Sequence, residues 1–162
     1  MSPDIKTEIA VIGAGPGGYV AAIRAAQLGK EVVLIEQDKL GGICLNYGCI
    51  PSKAMIYAAD FFDKIKKSSK FGISADNVKM DFKKLQEWKS GILSKLAKGI
   101  ESLCKGNKVT IIKGNASFEN SSRIKITSEK NTSYIDFEKA IIATGSKPIE
   151  LKTLKFDKKK II

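Results

Sequence analysis

The sequence predicts an α/β domain of three layers, with a parallel sheet at its centre and a small antiparallel β-meander. Three observations predict it. Two short apolar runs, Ile9-Ala10-Val11-Ile12 and Val32-Val33-Leu34-Ile35, have the length and β-branched content of buried strands. Between them lie a glycine turn and a stretch of small and apolar residues with helical character, which together make one βαβ unit. Beyond residue 108, polar turn residues separate several short β-prone runs.

In order along the chain, Ile5 to Gly13 reads as the first strand, closed by the turn Gly13-Ala14-Gly15-Pro16-Gly17-Gly18. Tyr19 to Leu28 reads as a helix, stopped by Gly29 at a C-cap position. Glu31 to Glu36 is the second strand, and Leu40 to Tyr47 reads as loop. A helix is expected from near Cys49 through Lys53 to Lys67. Asp81 is placed to cap a long amphipathic helix, in which Leu85, Trp88, Ile92, Leu96, Ile100 and Leu103 recur at three- and four-residue spacing. That spacing makes Trp88 a core residue, and Cys104 near the helix end a buried or half-buried thiol. Gly106-Asn107 ends the helix. Strands are expected near Val109–Lys113, Arg123–Thr127, Thr132–Phe137 and Ala140–Ala143, with turns at 120–122 and 129–131. Residues 1–150 form the domain, and 151–162, with the basic tail Lys155–Lys160, read as a linker or cut end.

The chain has 162 residues, 43% of them hydrophobic, which suits one domain with a core. No run approaches the ~20 apolar residues of a membrane span, and Met1 to Thr7 lacks the pattern of a secretory signal. A cytoplasmic protein is expected. The net charge is +11, but Arg24 and Arg123 are the only arginines, and the lysines are spread along the chain. Nucleic-acid recognition leans on arginine forks and stacked aromatics, so the charge reads as a solvated lysine surface and no nucleic-acid partner is expected. Three cysteines and no leader argue against a structural disulfide framework.

Gly13, Gly15 and Gly18 match G-x-G-x-x-G after a strand and at the head of a helix, the setting that makes this motif informative. In such a turn Gly13 bends the chain, Gly15 lets the backbone approach a pyrophosphate, and Gly18 lets helix and strand pack closely. Pro16 and Gly17 belong to the same turn, and the helix N-terminus offers free N–H groups to phosphates. Glu36, at the end of the second strand, is placed to accept hydrogen bonds from a ribose. FAD and NAD sites share the motif, which does not choose between them.

Cys44 and Cys49 stand in C-x4-C spacing within Gly41-Gly42-Ile43-Cys44-Leu45-Asn46-Tyr47-Gly48-Cys49-Ile50-Pro51-Ser52-Lys53. The pair can close a small disulfide loop, and Cys49 at a helix start would gain thiolate character from the helix dipole. Two other readings stand beside this one. A metal site is short of ligands, since position 52 is serine, Cys104 is one stray sulfur and the chain has no histidine. An inert buried pair is the other.

This stretch resembles the G-G-T-C-L-N-x-G-C-I-P-S-K motif of the dihydrolipoyl dehydrogenases, within the class I pyridine nucleotide-disulfide oxidoreductases. Leu45, Ile50 and Ser52 favour that branch over glutathione, trypanothione or mercuric reductases. The resemblance extends to the glycine turn, to Glu36 and to Ile141-Ile142-Ala143-Thr144-Gly145-Ser146-Lys147-Pro148, which is similar to the family's A-T-G-S-x-P flavin motif. It implies a Rossmann-like FAD-binding fold. Gly13, Gly15 and Gly18 would hold the FAD pyrophosphate and Glu36 its adenosine ribose. Ala116 would contact the adenine through its backbone, while Gly42, Ile43 and Cys44 would line the flavin side. Lys53 would lie beside the flavin ring, and Thr144, Gly145 and Ser146 would pass near the cofactor. Cys49 would be the flavin-facing sulfur and Cys44 the sulfur that exchanges with a dithiol.

The implied reaction is dihydrolipoamide + NAD+ to lipoamide + NADH. The implied partners are lipoamide or another dithiol, components of 2-oxoacid dehydrogenase or glycine cleavage complexes, and a second subunit in a homodimer. The family's histidine–glutamate base, NAD-binding domain, later G-D motif and dimerisation domain are not among these residues, so the chain alone is not expected to turn over. A non-catalytic flavin-binding fragment, or part of another disulfide reductase, remains the alternative. Two positions depart from the family pattern. Ile43 replaces the usual threonine, removing one expected hydroxyl contact to FAD. Tyr47 replaces a smaller apolar residue, which reads as tolerated variation remote from the sulfur chemistry.

Overall fold

The computed structural model describes residues 5–129, 131–157, 159 and 160. Met1–Asp4, Lys130 of the second predicted turn, Lys158 of the basic tail, and Ile161 and Ile162 lie outside the described residues. Alternation along β1 (Ile5–Ile12) sets the layers, because Ala10 and Ile12 pack into one core cluster and Val11 into the other.

The chain enters α1 (Pro16–Gln27) with Gly15 as N-cap. The helix begins at Pro16 rather than at the expected Tyr19, since proline at the first helical position has φ preset and no N–H to lose. Gly29, at φ 83°, closes it by donating to the carbonyl of Ala26 at 2.9 Å. β2 (Val32–Glu36) runs parallel to β1, Ile9 opposite Val32 and Ile12 opposite Ile35.

The segment expected as loop contains the five-residue helix α2 (Gly42–Asn46). Its two leading glycines hide it from propensity, but Asn46 folds back and donates to the carbonyls of Leu40 and Gly42 at 3.0 and 2.9 Å. α3 (Cys49–Lys66) and a 3-10 turn (Ser68–Phe71) follow. α4 (Phe82–Gly106) opens as expected on Asp81, whose carboxylate accepts from the N–H of Lys84 at 3.1 Å.

β3 (Thr110–Lys113), β4 (Asn115–Asn120), β5 (Arg123–Thr127) and β6 (Thr132–Ile142) complete a six-stranded sheet in the order β3-β2-β1-β6-β5-β4. β1, β2, β3 and β6 are parallel, and β6, β5 and β4 make the antiparallel meander. β4 escapes the sequence because Asn115-Ala116-Ser117 has little strand propensity; pairing of Ala116 with Ile126 and Phe118 with Ile124 holds it. β6 is one strand where two were expected. The exposed Glu138-Lys139 pair interrupts the apolar pattern, yet β1 carries the ladder through it, with Thr7 opposite Phe137 and Ile9 opposite Lys139.

The meander covers one face of the parallel strands through Ile124, Ile126, Ile135 and Phe137. α1 and α4 cover the other through Ala22 and the fully buried Cys104. α4 buries its apolar stripe only in part. Trp88 is 45% exposed, not core; its ring meets that of Tyr57 at 6.5 Å, and Leu96 and Leu103 on the same helix are also exposed. Among the described residues no helix is long and apolar enough to cross a membrane.

Candidate functional site

The carboxyl ends of β1, β2 and β6 converge on the glycine turn. Gly13 donates to the carbonyl of Ile35 at 2.8 Å, and Ala143 donates to that of Ile12 at 2.8 Å. In open α/β sheets this is the crevice where ligands bind. Gly18 lies buried under the turn, where an added Cβ would strike the Gly13 carbonyl, so the close packing expected of it is present. The first α1 ladder bond runs from Tyr19 N–H to the Gly15 carbonyl at 3.1 Å. The N–H groups of Gly17 and Gly18 therefore precede the ladder, at the positive end of a twelve-residue helix.

Glu36 is half-buried at the end of β2. One carboxylate oxygen accepts from Ala14 N–H at 2.7 Å and the other from Asp38 N–H at 2.8 Å. Beyond the ribose contact expected of it, this carboxylate pins the glycine turn to the chain leaving β2. Each oxygen keeps a further lone pair, so two hydroxyl donors can still be accepted.

Cys44 on α2 and Cys49, the first residue of α3, form a disulfide with their Cα atoms 4.7 Å apart. The α3 dipole places partial positive charge at Cys49. Cys49 is exposed and Cys44 half-buried.

A cavity of about 870 Å³ joins these parts. Gly13, Gly15, Pro16, Gly17, Glu36, Gly42, Ile43, Cys44, Cys49, Ala116, Thr144, Gly145 and Ser146 all line it, as a site built from four separate chain segments. Gly18 supports it from below. Lys53 does not join this lining and stands exposed on α3. The structure adds Gln37, Asp38, Lys39, Tyr47, Asn115 and Lys147 to the walls. Tyr47 and Lys147 occupy variable positions of the quoted motifs, and no motif marks the other four. Their signal is proximity to motif residues, and Asn115 shows it by donating to the Gln37 side chain at 2.9 Å.

The cavity fits an extended dinucleotide. Where the glycine turn meets α2 there is no room for a side chain: Gly42 has φ 58°, and an added Cβ there would lie 2.6 Å from the Gly15 Cα. Glu36 and the sulfur pair both line the cavity.

Comparison with known proteins agrees with this geometry. The family model described as pyridine nucleotide-disulphide oxidoreductase matches residues 7–161. Dihydrolipoyl dehydrogenase of Geobacillus stearothermophilus is 53% identical over 152 residues, covering 94% of this chain and 32% of the relative. That of Bacillus subtilis (strain 168) is 52% identical over 155 residues, covering 96% and 33%. The chain thus spans about a third of the length of these relatives. Among solved structures, the Cu(II) complex of the HOCl-induced flavoprotein disulfide reductase RclA from Escherichia coli superposes with a TM-score of 0.76 at 25% identity, covering 91% of this chain and 30% of that one.

Proposed function

This chain belongs to the pyridine nucleotide-disulphide oxidoreductase family, and from that premise we propose that it is the FAD-binding, disulfide-bearing part of a dihydrolipoyl dehydrogenase. The observation that carries the proposal is the single cavity in which a glycine-turn cradle and the Cys44–Cys49 disulfide face the same space. Residues 1–150 are read as the FAD-binding domain and 151–162 as the link to an NAD-binding domain. The proposed partners are lipoamide and the 2-oxoacid dehydrogenase or glycine cleavage complexes that carry it, in a cytoplasmic setting and with a homodimeric holoenzyme.

In this reading Gly13, Gly15, Pro16, Gly17 and Gly18 hold the pyrophosphate, Glu36 the adenosine ribose and the Ala116 backbone the adenine. Gly42, Ile43, Thr144, Gly145 and Ser146 flank the rest of the cofactor; the family resemblance adds Lys53 beside its ring, although Lys53 stands outside the cavity lining here. The chemistry a bound FAD supplies is two-electron transfer between the sulfur pair and a pyridine nucleotide.

The chain's own part is thiol–disulfide exchange. A substrate thiolate attacks Cys44 Sγ; the Cys44–Cys49 bond breaks, and Cys49 leaves as a thiolate stabilised by the α3 N-terminus. The second substrate thiolate then attacks the substrate sulfur bound to Cys44, forming the cyclic disulfide and releasing the Cys44 thiolate. The substrate loses two electrons and the cysteine pair gains them. Two protons leave the substrate thiols. Their acceptor is not a histidine of these 162 residues, which contain none, and we place it outside them. The chain alone is therefore not expected to turn over, and the second reading is a non-catalytic flavin-binding fragment or part of another disulfide reductase.

The test is to titrate the purified chain with FAD, following flavin fluorescence, and then to reduce it with dithiothreitol. We expect saturable quenching, then a long-wavelength absorption band on reduction that is missing in Cys49→Ser. Failure of FAD to bind would overturn the reading.

A further inference from the structure

We propose that Tyr47 is a positioning residue that straps the redox loop to the nucleotide end of the cavity. The inference deepens the function proposed above and rests on it where FAD enters the test.

Tyr47 lies inside the loop closed by Cys44 and Cys49, and its backbone N–H donates to the carbonyl of Ile43 at 2.9 Å. Its hydroxyl leaves that loop altogether and donates to the carboxylate of Asp38 at 2.8 Å. The Lys39 ammonium stands 5.2 Å from the centre of its ring. All three residues line the same cavity. Asp38 is held in turn, its N–H donating to Glu36 at 2.8 Å, while the other Glu36 oxygen accepts from Ala14 at 2.7 Å. One continuous set of hydrogen bonds therefore runs from the glycine turn, through Glu36 and Asp38, to the ring of Tyr47 between the two cysteines.

The consequence is for the dithiol state. Reduction by dithiothreitol breaks the Cys44–Cys49 bond and gives two protein thiols; the reagent loses two electrons and two protons and becomes its cyclic disulfide. Without the covalent link, the loop can spread. The Tyr47–Asp38 bond limits that spread, keeps the two thiols close and favours their reclosure. It thereby shifts the exchange equilibrium toward the disulfide. Because its acceptor sits beside Glu36, a ligand that fixes residues 36–38 strengthens the tether, and ligand affinity and disulfide stability must respond to each other reciprocally.

The experiment measures the equilibrium of the Cys44–Cys49 disulfide with dithiothreitol in the wild type, Tyr47→Phe, Asp38→Ala and the double variant, with and without saturating FAD. Tyr47→Phe keeps the ring over which Lys39 stands and removes only the donor. Without FAD, each single variant is expected to move the equilibrium toward the dithiol by about two- to tenfold, the range of one hydrogen bond, and the double variant no further. With FAD, the wild-type equilibrium is expected to lie further toward the disulfide than that of the variants, and by a larger factor than without FAD. Singles that leave the equilibrium unchanged, or effects that add in the double variant, overturn the strap. A chain that binds no FAD sinks the cofactor reading instead, while the measurements without FAD still decide the strap.

Discussion

Ile43 presents an apolar side chain to the cavity and is 56% exposed, where the family pattern would place a hydroxyl. Ile43→Thr is expected to tighten FAD binding by about two- to tenfold through one added hydrogen bond, read by fluorescence titration; unchanged affinity would show that the position does not touch the cofactor. Gly42 makes the opposite case. Its φ of 58° and its closeness to Gly15 leave no room for a Cβ, so Gly42→Ala should weaken FAD binding and lower stability by about 1–3 kcal/mol, measured by urea unfolding. The two cysteines and the three motif glycines were legible in the sequence because each needs one residue type at one spacing. The bond from Ala14 N–H to Glu36 was not legible, because the two residues come within reach only once β1 and β2 pair. Tyr47 reads in sequence as neutral variation, and only the folded loop brings it to Asp38.

Elements were legible where local chemistry decides them. Asp81 identifies the start of α4, and Asp81→Ala should lower stability by about 1 kcal/mol, seen as a lower urea midpoint with unchanged slope. Gly29 likewise identifies the end of α1. Elements decided by their neighbours were missed. β4 exists because β5 supplies partners to a weak strand former, and β6 is continuous because β1 bridges its polar middle. α2 is held by the Asn46 side chain against the glycines that precede it. Trp88 fits the helical period of α4 but stays 45% exposed. Periodicity identifies an apolar face without saying whether another element covers it.

At the scale of the whole molecule, stability rests on the two core clusters and little on the disulfide. Leu34 is fully buried between the sheet and the helices, and Leu34→Ala should destabilise by about 2–5 kcal/mol. Reducing Cys44–Cys49, which closes a loop with a sequence separation of 5, should cost no more than about 2 kcal/mol on the chain-entropy scale. Thermal unfolding with and without dithiothreitol checks this, and a larger loss would mean the redox loop is also a structural staple. Cys104 adds a pH dependence. Burial pushes its thiol pKa up, so the folded state holds this proton more tightly than the unfolded chain. Its contribution is complete below the unfolded thiol value and declines as pH rises toward the folded one. Cys104→Ala should therefore flatten the alkaline limb of a stability-against-pH curve, relative to wild type. β6 also sets when the sheet can close during synthesis. β1 is finished near the start of the chain, yet Ile5 pairs with Ile135 and Ile12 with Ile142. At a ribosome's ~5–20 residues per second, that side of β1 waits on the order of ten seconds for its neighbour. Throughout this interval the nascent chain presents one unpaired edge of β1, a row of backbone groups open to pairing with another chain.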